Sequence, residues 1–155
     1  MGKSLELTLK RIVLDTGVLV EYIVERAPYR FKVGKLFEKA AEGMVSLYVS
    51  PITLSETLYV ASRIYVASSL SNPNEEALNY MGWVKSRLNI VGITEDVVVR
   101  AGELKKVLRL ALPDCYVIAV AEEIDATALF RSVEREMKPV LSKLEELGVA
   151  FLSQL

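Results

Sequence analysis

Apolar positions along the chain recur with two different periods, and the two alternate from one end to the other. Short β-rich runs fall at 11–14, 45–49, 89–93, 126–130 and 149–152. Between them, apolar residues return at helical spacing. Val18, Leu19, Tyr22 and Ile23 mark a first helix, and Phe31, Leu36 and Phe37 mark a second after Pro28. Ser50 and Pro51 supply an N-cap followed by proline at the first helical position, opening a helix over about 51–69. Pro73 opens another, carrying Leu78, Met81, Trp83, Val84 and Leu88. Thr94, backed by Glu95 and Asp96, starts a helix that should reach Arg109, because acids suit the positive end of the helix dipole. From Pro113 the pattern is apolar almost all round, which predicts a buried helix. Pro139 is expected to open a terminal helix with Val140, Leu144 and Leu147, ended by Gly148. Residues 1–10 alternate Leu5, Leu7 and Leu9 with polar residues, so they extend the first strand, add an edge strand or stay disordered.

Strands alternating with helices predict an α/β fold: three layers, α/β/α, around a mostly parallel central sheet. At 155 residues, 52% hydrophobic, the chain fits a single domain over 1–155 with ample material for a core. No repeat or low-complexity segment interrupts it.

Composition then removes several chemistries. The chain has no histidine and one cysteine, Cys115, which excludes an intramolecular disulfide, a His-based triad and a Cys/His zinc site. Cys115 itself, among apolar neighbours, reads as a small core residue. A net charge of −1 gives no broad positive field, so any nucleic-acid contact must be local. Lys32, Lys35, Lys105, Lys106 and Arg109 are candidates for phosphate contact, though basic residues at helical spacing usually form a solvated face. No apolar run approaches the roughly 18 residues of a membrane helix, and the N-terminus has no signal-peptide core, so a cytoplasmic protein is expected.

The candidate chemistry lies in acids embedded in apolar sequence. In the run from Arg11 to Gly17 a buried strand stops at Asp15, a position at the sheet's rim where α/β proteins bind ligands. Asp15 reads equally well as the N-cap of the next helix. Glu56 falls early in the helix after the second strand, three residues after Thr53, which is also a capping-box spacing. Asp114 is the second residue of the buried helix, where an acid also favours the dipole. Strand ends and helix starts share one edge of a parallel sheet, so the three are expected together. Carboxylates crowded there repel unless a cation holds them, and hard oxygen ligands favour Mg²⁺ or Mn²⁺.

The segments VLDTGVLVEY, SETLYVA and LPDCYVIAVAEE, in this order, resemble the PIN domain and in particular the VapC-type toxin ribonucleases. The resemblance spans Arg11 to Leu152. It implies that Asp15, Glu56 and Asp114 coordinate Mg²⁺ or Mn²⁺ for the hydrolysis of RNA, that Thr16 supports them, and that an antitoxin protein is the partner. One departure stands out. Where the family carries Thr-x-Asp after its fourth strand, this chain has Phe130 and Ser132. The fourth carboxylate is missing from its usual place; Glu134 and Glu136 follow just beyond and either reach in to support the site in place of Ser132 or stay solvated on a helix, the second being the expectation.

Three functions compete on these residues. The first is a metal-dependent endoribonuclease, the toxin of a toxin–antitoxin pair. The second is a binding or assembly module whose catalysis went with the fourth acid. The third is an aspartyl-nucleophile phosphatase, which wants a second acid where Gly17 stands. Apolar residues over 75–88 and after Pro51, in excess of what a small domain covers, further predict a homodimer.

Overall fold

In a computed structural model, the described residues are 10–155, so the expectations for the first nine positions lie outside them. The strands are β1 (Arg11–Leu14), β2 (Ser46–Val49), β3 (Asn89–Ile90), β4 (Thr127–Phe130) and β5 (Ala150–Phe151). The helices are α1 (Thr16–Glu21), α2 (Arg30–Ala41), α3 (Pro51–Ala67), α4 (Pro73–Arg87), α5 (Glu95–Leu108), α6 (Leu112–Glu123) and α7 (Leu141–Glu146). Among the described residues all strand pairs are parallel, in the order β3-β2-β1-β4-β5. The three-layer α/β/α architecture is therefore the one expected.

Side chains alternate across a strand, and in β1 that alternation builds two cores. Ile12 and Leu14 face one side with Leu47 and Val49 of β2, where α1, α2, α3 and α4 cover them. Val13 faces the other with Ala128 and Phe130 of β4, beneath α5, α6 and α7. Both faces are buried, which is why these strands read as continuous apolar runs. Tyr22, Phe37, Tyr80 and Trp83 pack ring against ring at the margin of the first core, Tyr22 and Trp83 stacked with centroids 5.4 Å apart.

The order of strands sets the site. From β1 the chain moves outward through β2 to β3, then returns to β4 on the opposite side of β1. The crevice outside the carboxyl ends of β1 and β4 is thus the switch point where such sheets take their ligands.

Several elements differ from the sequence expectation. The third strand has two residues rather than five, with Gly92 just beyond it, and the fifth has two rather than four. Pro139 lies inside a 3-10 helix, Arg135–Val140, and α7 begins after it. Proline lacks the N–H that an interior α-helical hydrogen bond requires, so the α-helix starts only where the chain is clear of it. Phe31, expected to help bury α2, is 75% exposed. None of the helices among the described residues is long and apolar enough to cross a membrane.

Candidate active site

Asp15 follows the last residue of β1, and its N–H continues the β1–β4 ladder by donating to Leu129 O at 3.0 Å. Its carboxylate caps α1, with Gly17 N–H donating to Oδ2 at 3.1 Å. The rim and cap readings thus describe one residue doing both. Asp15 is buried, 8% exposed. Burial pushes its pKa up to about 6, with the negative charges of Glu56 and Glu134 adding to the rise and the N–H groups of Gly17 and Thr16 opposing it.

Glu56 comes from α3. Ser50 caps that helix, its hydroxyl accepting from Thr53 N–H at 3.2 Å. Glu56 therefore sits more than a turn beyond the cap, too deep for the capping-box reading. Its Oε1 instead accepts the hydroxyl of Thr16 at 2.6 Å. Asp114 enters from the first turn of α6, where Ala111 precedes the helix without a side-chain cap. Burial again raises its pKa, to about 7, followed by the charges of Asp15, Glu134, Glu56 and Glu136. Asp15, Glu56 and Asp114 thus come from three separate crossovers to one edge of the sheet and feel one another's charge.

Of the two residues beyond β4, Ser132 is half-buried and accepts from Arg131 Nη1 at 3.3 Å. Glu134 is exposed and precedes the 3-10 helix, Met137 N–H donating to its carbonyl at 3.0 Å. Its exposure is that of a solvated residue, yet its charge reaches both Asp15 and Asp114.

The acids suit a hard divalent cation in kind, being oxygen donors whose mutual repulsion a cation would relieve. Among the described residues, no three acidic or other ligating side chains are already drawn to metal-ligand spacing. The carboxylates of Asp15 and Asp114 lie within electrostatic reach of Glu56 and Glu134, and Glu56 is turned to Thr16.

Other sequence candidates found different partners. Lys105 Nζ donates to Leu110 O at 2.7 Å, closing the end of α5, where Arg109 takes a left-handed conformation at φ 59°. Lys106 pairs with Glu103, Lys35 with Glu38, and Lys32 reaches the Leu152 carbonyl. Cys115 is buried, as expected of a core residue. Sequence reasoning missed Glu21 and Arg131. Glu21 is buried on α1, and its Oε1 accepts from Arg131 Nε at 2.6 Å. The signal was a lone acid at the apolar positions of the first helix.

A family model described as the PIN domain matches residues 12–138. The chain belongs to the PIN domain family. Solved structures share its fold. VapBC-1 of nontypeable Haemophilus influenzae is 15% identical, with a TM-score of 0.64 over 92% of this chain and 98% of that one. VapBC2 of Rickettsia felis, bound to a DNA fragment from its promoter, is 21% identical, with a TM-score of 0.62 over 83% and 92%. The sarcin-ricin-loop-cleaving toxin VapC20 of Mycobacterium tuberculosis is 15% identical, with a TM-score of 0.57 over 76% and 86%. No curated protein matches the sequence.

Proposed function

We propose that this PIN domain is a metal-dependent endoribonuclease, the toxin of a toxin–antitoxin pair. One observation carries the reading: Asp15, Glu56 and Asp114 come to one edge of the sheet within reach of one another's charge, and the pKa values of Asp15 and Asp114 are pushed up to about 6 and about 7 by burial and by the other acids. Carboxylates held so close to protonation are ones that a cation would stabilise. Asp15, Glu56 and Asp114 would hold Mg²⁺ or Mn²⁺, with Glu134 within electrostatic reach. The bound ion would activate a water and offset charge on the oxygens of an RNA phosphodiester. Thr16 holds the Glu56 carboxylate by its hydrogen bond at 2.6 Å.

The fold neighbours support the partner. One of them is a toxin–antitoxin complex, from Klebsiella pneumoniae. Tyr59 and Val66 of α3 and Leu78 of α4 stand exposed, which supports a homodimer through these helices. A second reading, an impaired binding module, draws on Ser132 in the place of the fourth acid. RNA cleavage assayed with Mn²⁺, with chelator and in Asp15→Asn decides between them. Cleavage that needs Mn²⁺ and Asp15 fits the nuclease; RNA bound but intact fits the module.

A further inference from the structure

The segment leaving β4 is held at several points beside the acids. Arg131 Nε donates to Glu21 Oε1 at 2.6 Å, and the Glu21 side chain is 5% exposed against 39% for Arg131. The other Glu21 oxygen accepts from Tyr29 N–H at 2.8 Å, and the guanidinium lies over the Tyr29 ring, 5.2 Å from its centroid. Arg131 Nη1 reaches Ser132 Oγ, and the Arg131 carbonyl accepts from Ser153 N–H at 3.0 Å. At the base of the side chain the packing is tight. A Cβ placed on Gly17 would stand 3.3 Å from Arg131 Cβ and 3.3 Å from Asp15 Oδ2. The arginine stem and the first acid therefore flank one small face of α1.

An ion pair with one partner buried adds little stability over an apolar contact of the same size, while stripping the buried Glu21 of its partner is costly. What such a pair supplies here is direction. We propose, on the nuclease reading above, that Glu21 and Arg131 form a latch that fixes the first residue after β4 against α1, next to Asp15, and so sets where the segment carrying Ser132 and Glu134 stands relative to the acids. Arg131 is a positioning residue in this scheme, its charge matched by Glu21.

The sign of one substitution separates this role from others. Arg131→Gln removes a positive charge beside the acids, which by field alone would tighten cation binding. A latch predicts the opposite, because displaced ligands outweigh the field. Mn²⁺ titrated calorimetrically into the full chain should bind about tenfold more weakly in Arg131→Gln, a size usual for residues that orient ligands. Glu21→Gln should lose a similar factor. The double variant, whose net charge is that of the parent, should be no worse than the weaker single one, since the pair acts as a unit. A folded Arg131→Gln that binds Mn²⁺ as tightly as the parent, with only its melting temperature lowered, overturns the latch. Unchanged Mn²⁺ affinity with weaker RNA binding and a shallower salt dependence also overturns it, in favour of direct phosphate contact. Should Arg131→Gln not fold, the charge-neutral double variant decides: parental affinity there refutes the latch. A parent chain that takes up no Mn²⁺ sinks the nuclease reading instead.

Discussion

Thr16 and Glu56, 40 positions apart, are joined by a 2.6 Å hydrogen bond from hydroxyl to carboxylate. Thr16 is buried at the first position of α1, and Glu56 is half-buried on α3. The bond ties the helix after β1 to the helix after β2 at the edge of the sheet that carries Asp15. Hydrogen bonds to a charged group contribute about 1.5–3 kcal/mol. Thr16→Val keeps the branched shape and removes the donor, so Glu56 should swing free. Mn²⁺ affinity by calorimetry is expected to fall about tenfold while the fold survives. An unchanged affinity would show that Glu56 needs no such hold.

Asp15→Asn and Asp114→Asn keep the size of each side chain and remove its charge. Each should abolish RNA cleavage. In metal-free protein each should also raise the melting temperature, because an uncharged amide escapes both the burial cost and the repulsion that lift these pKa values. Fluorescence assays of RNA cleavage paired with thermal melts check both halves, and a fully active variant would remove its acid from the cation site.

The same two acids set a pH dependence. Their folded pKa values, about 6 and about 7, lie above the ordinary 3.8. Between those limits the folded chain binds more protons than the unfolded one, so stability falls as pH rises. The relative stability is fully present below about 4 and is lost as pH climbs through 6 and 7. For Asp15 the shift is worth about 3 kcal/mol, at about 1.4 kcal/mol per pH unit. Urea melts of metal-free protein at pH 5 and pH 8 should show the loss, and Mn²⁺ should restore stability at pH 8. A flat profile across that range would mean the acids do not crowd.

The fold was legible because both sheet faces are buried. Runs such as Ile12-Val-Leu14 and Ala128-Leu-Phe130 are apolar on both faces, and the helices between them carry clear caps at Ser50 and Thr94. The short strands β3 and β5 were overextended, because an apolar residue near Gly92 or Gly148 does not announce where pairing stops. Asp15, Glu56 and Asp114 stood out as acids in apolar surroundings. Glu21 shared that property and was passed over, since its partner Arg131 lies 110 positions away. No local period encodes such a pair. The helical spacing marks Trp83 as an apolar position of α4, but not the rings of Tyr22, Phe37 and Tyr80 that it packs against.

The residues after β4 allow the last test. On sequence alone, Ser132 marks a lost carboxylate, and Ser132→Asp would be expected to restore it and tighten cation binding, with Glu134→Ala of little effect. The surroundings of the two residues favour the other assignment. Ser132 Oγ accepts from Arg131 Nη1, so an aspartate at 132 would meet a guanidinium before it met a cation. Glu134, although exposed, acts on Asp15 and on Asp114 with the same sign. Three carboxylates match one divalent ion but match two poorly, so a fourth acid within reach decides how firmly the ion is held. Glu134→Ala should therefore weaken Mn²⁺ binding by about tenfold. Ser132→Asp should change it little. Calorimetry on the parent and the two variants checks this pattern. Tight binding in Ser132→Asp alone, with Glu134→Ala unaffected, would return the fourth place to position 132.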